Sequence, residues 1–301
     1  MNKLRLAIVL AILVGGAALA TLGPNDGRVN LSSIMALWSD AVRDTDQIGM
    51  RLTRLSDAEE MRIGAELAPS VLNWAHEDAT ESTYITDVAQ SLLPHVQRPG
   101  IHYTFHVIDL PDINAFAMPG GQVFATTGLM GFVESEAELA AVLGHEISHV
   151  DLRHCIERFQ YEYRLKKAGM PRTGWMVETA HRLATMGWAP YQESDADLAS
   201  ERLTIEAGYD PDAAAALFER MKVRFGEPSP QRATTPASEV GQAVGGAIGS
   251  YFRTHPPSGD RARQLHEMVA QHARELKGRS FYVGKENLKR HIARSRQQFP
   301  E

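Results

Sequence analysis

His145 and His149 lie four residues apart in "LGHEISHVDL" (143–152), and Glu146 follows the first of them. On a helix of 3.6 residues per turn, positions i and i+4 share a face, so the two imidazoles project together. Nitrogens placed that way suit one Zn²⁺ at about 2.0–2.1 Å. Glu146 is turned about 100° from His145, too far round to share the metal equally but within reach of a water beside it. Two nitrogens for a metal and one carboxylate for a proton make the chemistry of a metallohydrolase. The pattern is short and needs a third ligand.

Cys155 is the only cysteine, so internal disulfides and thiolate zinc sites are excluded and a metal must be held by His, Glu or Asp. A metzincin arrangement requires glycine at 152 and histidine at 155, where this chain has Leu152 and Cys155. His154 is expected on the far side of an uninterrupted helix, as a structural or surface histidine. Glu193, in "YQESDADLAS" (191–200), is a better third ligand, with Asp197 one turn later on the same face. From a second helix, Glu193 could reach the metal while Asp197 accepts the free N–H of a ligating imidazole. The competing reading of Glu193, Asp195 and Asp197 is an acidic, solvated helix face.

These groups require two helices side by side. Ser135 and Glu138 match a capping box opening a helix through the two histidines, expected to reach Lys167 before Gly169 and Pro171. Pro190 suits the first turn of the second helix, and Gly208 its C-terminal cap. Ser56 and Glu59 form another capping box, with Leu55 as a staple. "IHYTFHVID" (101–109) alternates as a strand does, and "INAFAMPGGQVFATTGLM" (113–130) reads as a hairpin or edge strand turning at Pro119-Gly120-Gly121. Further helices are expected near 175–188, 211–222 and 258–276, with a Gly/Pro/Ser/Thr-rich loop at 226–250 and a short polar tail. The fold class is α+β, mainly α, without internal repeats.

With 301 residues and 44% apolar content, the chain can build one large domain or two small ones. A formal net charge of −6 and scattered basic residues argue against a nucleic-acid partner. Lys3 and Arg5 precede a charge-free run from Leu6 to Gly23 with "ALA" at 18–20. That pattern predicts a signal peptide cut after Ala20, or an uncleaved anchor allowing membrane association. Either places the body, if bacterial, in the periplasm or on the periplasmic face of the inner membrane.

"NAFAMPGG" with "GLM", then "SEAELAAVLGHEISHVDLRH", then Glu193-x-x-x-Asp197, then "THPPSGDRAR" follow one another along the chain. From about residue 50 to 276 this order resembles the HtpX/BepA-like gluzincin zinc metallopeptidases, relatives of the CAAX prenyl proteases. The resemblance is to the soluble exported branch and to a catalytic domain alone. It implies a signal peptide or anchor at 1–23, a linker at 24–50, a gluzincin-type peptidase domain at 51–280 and a tail at 281–301. Within that domain a small β-sheet with an edge strand would lie over the active-site helix.

The same resemblance implies one Zn²⁺ per chain on His145, His149 and Glu193, with Glu146 as general base and acid and Asp197 supporting His145. Asn114, Ala115, Phe116 and Ala117 would form the substrate-binding edge, unless they are merely a hairpin. His255 and Arg261 match the family's C-terminal motif. His255 would stabilise an oxyanion, bind zinc as a fourth ligand, or simply cap its loop. The implied function is a zinc-dependent endopeptidase acting on extended or misfolded polypeptides, in protein quality control of the cell envelope. The alternative is a zinc-stabilised, chaperone-like binding protein with a closed, inactive site; a zinc hydrolase of non-peptide substrates is a third reading. The chain carries no signal for an oligomeric state.

Overall fold

The computed structural model describes residues 55–73, 75–166, 188–225, 255 and 261–300. The N-terminal run and linker, the loop at 226–250 and, apart from Trp188, the helix expected near 175–188 lie outside the described residues.

Helix α1 (Asp57–Leu72) opens on a complete capping box: Ser56 Oγ accepts from Glu59 N at 3.3 Å, and the Glu59 carboxylate accepts from Ser56 N at 2.9 Å. Helix α2 (Ala79–Ala89) leads to β1 (Thr104–Ile108), β2 (Ala115–Met118) and β3 (Gln122–Thr126). The sheet order is β1-β3-β2, with β1 parallel and β2 antiparallel to β3. β2 is therefore an edge strand, as its sequence suggested. The turn at Pro119–Gly121 places Gly120 and Gly121 at φ 76° and 84°, a region in which a Cβ is penalised. A Cβ on Gly120 would also stand 2.6 Å from the Glu60 carbonyl oxygen, so α1 closes directly over the turn.

After the single turn of α3 (Thr127–Met130) comes α4 (Glu136–Asp151), which carries His145, Glu146 and His149 and is buried along its whole length. A helix so enclosed has no solvent face. Its ends must find partners in protein, because buried backbone N–H and C=O groups are costly when unpaired.

At the N-terminus, Ser135 Oγ accepts from Glu138 N at 3.2 Å, but the return half of the expected box is missing. The Glu138 carboxylate instead accepts from Glu134 N at 2.7 Å and pairs with Arg220. Glu136 N and Ala137 N donate to the carbonyls of Gly284 and Val283 at 3.2 and 2.9 Å. The buried Glu136 carboxylate accepts from the Tyr209 hydroxyl at 2.8 Å and from Arg294 N at 3.0 Å. The segment expected to be a polar tail thus seals the start of the central helix, with Tyr282, Asn287, Leu288 and Ala293 themselves buried.

At the C-terminus, Asp151 accepts from Gln97 N and Arg98 N at 2.8 and 2.7 Å. The Arg98 guanidinium donates to the Val150 carbonyl at 2.7 Å and pairs with Asp57 and the buried Glu60.

The single helix expected from Ser135 to Lys167 is in fact two. Arg153 adopts φ 68°, ending α4, and α5 (His154–Lys166) sets off in a new direction. The left-handed backbone at Arg153 is held by its guanidinium, which donates to Asp57 at 3.0 Å and to the Leu55 carbonyl. Helix α6 (Pro190–Glu206) lies along α4, and Gly208 at φ 81° follows it as expected. Their close approach depends on Gly144, where a Cβ would meet Ser200 Oγ at 2.8 Å. Ser200 Oγ uses that space to donate to the Ala141 carbonyl at 2.9 Å.

Helices α7 (Ala213–Phe225), α8 (Arg261–Leu276) and α9 (Lys285–Arg290) complete a mainly helical α+β body. One apolar core joins the sheet to α2, α4, α6 and α7; a second, including Leu67, Phe116, Phe124, Ile156 and Phe159, packs around α1 and α5. Among the described residues, no helix is long and apolar enough to cross a membrane.

Candidate metal centre

The juxtaposition of α4 and α6 brings His145, His149 and Glu193 together, and His255 joins them. All four are buried, and one ligand atom from each lies within 4.8 Å of the others. His145 Nε2 is 3.1 Å from His149 Nε2 and 3.1 Å from His255 Nδ1. The Glu193 oxygens lie 3.6 Å from His145 Nε2, 3.5 Å from His149 Nε2 and 3.0 Å from His255 Nδ1. A tetrahedral ion with ligands at 2.0–2.1 Å has ligand–ligand edges of about 3.3–3.4 Å, and the spacings found here bracket that value. Three imidazole nitrogens and a carboxylate converge on one point at these distances. The donor set fits Zn²⁺.

The surroundings favour a neutral His149 and an ionised Glu193, the states a metal requires. Burial pushes His149 well below its ordinary range and takes His154 down to about 4. Burial alone would raise Glu193, but the imidazoles of His255, His149 and His145 hold its carboxyl well below the usual carboxylate range.

Glu146 is fully buried beside the cluster, with His255 Nε2 3.2 Å from its Oε1. Asp197 stands one turn after Glu193, its Oδ1 2.9 Å from His145 Nδ1. The acidic face of α6 is thus not a solvated one at these two positions, both of which are buried. Asn114 precedes β2, and Ala115, Phe116 and Ala117 form the edge strand packed on α4, with Phe116 stacked on Phe124 at 5.0 Å. Arg261 opens α8, and its side chain lies outside the described residues.

His154 does not face away. The left-handed residue before it swings its ring back to within 3.0 Å of His149, Nδ1 to Nδ1, in a buried position. Trp188 stacks on His149 as well, with centroids 4.3 Å apart and planes 15° apart. Neither contact has a signal in the sequence, because an arginine in the left-handed region is not encoded by residue type.

Glu201, one turn beyond Asp197, was also missed. It borders a cavity of about 10 Å³, room for roughly one water, shared with His145, Asp197 and Leu217. Burial, with Asp212, Asp210 and Asp197 nearby, pushes Glu201 up to about 8. Between its ordinary value near 4.5 and about 8, the folded chain holds a proton that the unfolded chain has released. Stability should therefore fall as pH rises through that window, by on the order of 1 kcal/mol per pH unit, and level off above it. Glu201→Gln should flatten this slope, so that the variant gains on the parent more at pH 8 than at pH 5. Urea denaturation midpoints at the two pH values check this.

A model of peptidase family M48 matches residues 79–269. The chain is 31% identical over 188 residues to the mitochondrial metalloendopeptidase OMA1 of Bos taurus, covering 57% of this chain and 33% of that protein. It is 29% identical over 198 residues to the mitochondrial metalloendopeptidase OMA1 of Schizosaccharomyces pombe, covering 62% and 53%. To the beta-barrel assembly-enhancing protease of Escherichia coli K12 it is 25% identical over 255 residues, covering 77% and 48%. The chain thus spans between a third and about half of the length of these relatives.

Proposed function

This chain belongs to peptidase family M48, and we propose that it is a zinc-dependent endopeptidase in which His145, His149 and Glu193 hold the metal and Glu146 moves the proton. The observation that carries this reading is the set of near-tetrahedral edges formed by buried nitrogens and a carboxylate immediately beside a second buried carboxylate.

When bound, Zn²⁺ supplies Lewis acidity, which lowers the pKa of water and polarises the scissile carbonyl. The chain's own groups do the rest. Asp197 beside Nδ1 of His145 keeps the proton on that nitrogen and leaves Nε2 free to ligate. Glu146 accepts the proton of the attacking water on a carboxylate oxygen and returns it to the departing amine. Burial of the whole constellation excludes bulk solvent and strengthens each electrostatic contact.

Asn114 to Ala117 offer an extended substrate an edge to pair with. Main-chain hydrogen bonds along such an edge are tolerant of side chains, which suits unfolded or misassembled polypeptides. A role in quality control in the cell envelope is supported by that tolerance, by the apolar run at 6–23 and by likeness to a beta-barrel assembly-enhancing protease.

His255 fills the fourth corner of the ligand set and touches Glu146. A catalytic zinc site keeps one position open, so on this reading His255 would hold that position in a closed form and would withdraw before cleavage. Metal analysis should give one zinc per chain. Chelation should abolish cleavage of an unfolded substrate such as casein, and zinc alone should restore it; a metal-free chain with undiminished cleavage would refute the proposal.

A further inference from the structure

The ring of His149 is gripped from outside the ligand set. Its Nε2 faces His145 and Glu193, while its Nδ1 meets Nδ1 of His154 at 3.0 Å. Trp188 covers one face of the ring, and the Arg158 guanidinium lies over the Trp188 ring at 4.7 Å. His154 and Trp188 are 6% and 7% exposed, so neither contact is a surface accident.

The backbone is bent to make this contact. Continued as a helix, residue 154 would lie about 140° around the axis from residue 149. The left-handed Arg153 removes that separation, a conformation costing a non-glycine residue about 1–2 kcal/mol. The Arg153 contacts to Asp57 and the Leu55 carbonyl sustain it.

We infer that His154 is a positioning residue for the metal: its Nδ1 accepts the Nδ1 proton of His149 and locks that ring into the tautomer presenting Nε2 to the ion, while Trp188 fixes the ring plane. The inference rests on the zinc reading above. It also gives the two ligating histidines different characters. His145 leans on the carboxylate of Asp197, which adds negative charge and basicity to its ligand nitrogen. His149 leans on a second imidazole, which fixes geometry without adding a charge to a buried site already holding Glu146, Glu193 and Asp197.

Zinc competition against a chromophoric chelator, with the Co²⁺ visible spectrum as a second readout, tests this on the full chain. His154→Phe, which fills the space without an acceptor, should weaken zinc binding by about 10–100-fold and shift the Co²⁺ bands. His154→Asn, whose amide oxygen can stand where Nδ1 stood, should stay within several-fold of the parent. Equal affinity and superposable spectra for parent and His154→Phe would overturn the inference, as would equal loss in the Phe and Asn forms. A parent chain that binds no zinc at all would instead overturn the zinc reading. If His154→Phe does not fold, nitrogen NMR of the zinc-loaded parent decides: a coupling across the hydrogen bond between the two Nδ1 atoms supports the role, and a His149 Nδ1 proton bonded elsewhere removes it.

Discussion

Glu146→Gln should lose about 10²–10⁴-fold in peptide cleavage while binding as much zinc as the parent, because general acid–base catalysis contributes on that order. Glutamine matches glutamate in shape, so the fully buried pocket should stay packed. What changes is charge: the amide oxygen cannot take a proton from water at neutral pH, and among the described residues the other two carboxylates at the cluster have different partners. Glu193 belongs to the ligand set, and Asp197 faces the opposite edge of His145. Casein hydrolysis and zinc content measured on the same preparation separate the two effects. Cleavage at the parent's rate would remove Glu146 from the mechanism, and loss of zinc would make it a structural support of the site.

His255→Ala should raise cleavage by about 10–100-fold. His255 sits 3.0 Å from Glu193 and 3.2 Å from Glu146, occupying both the fourth metal corner and the proton-transfer group. A hydrogen bond to a charged group contributes about 1.5–3 kcal/mol, and 1.4 kcal/mol is tenfold in a population. Removing that hold should shift the balance from closed to open by a comparable factor. Zinc binding should weaken at the same time, since one of four donors is gone. The opposite outcome is equally informative: a fall in cleavage with zinc retained would make His255 a donor to the oxyanion.

Much of this centre was legible from residue spacing, because the helical period alone puts His145 and His149 on one face and Glu193 and Asp197 on another. Ser135 and Pro190 announced where the two helices begin, and both helices start at those points. The edge strand was legible too, since only glycine takes readily to the turn that folds β2 onto β3.

What was not legible depends on contacts far apart in sequence or on backbone no residue type announces. Glu138 looked like the closing half of a capping box, but Arg220, 82 residues away, claims its carboxylate. Residues 281–301 read as a polar tail because Glu136, which binds this segment, is 158 residues from Arg294. His154 turns toward His149 because the helix breaks at Arg153, where a continuous helical period would carry it away. Burial of Glu201 follows from packing between α6 and α7, which an acidic sequence face conceals.

The most direct test of the whole account is a crystal structure of the zinc-loaded chain with anomalous scattering recorded on both sides of the zinc absorption edge. A single peak at about 2.0–2.2 Å from His145 Nε2, His149 Nε2 and a Glu193 oxygen is the predicted result. A zinc peak away from these three atoms, or a Glu193 carboxylate turned from the two rings with metal bound, would contradict it.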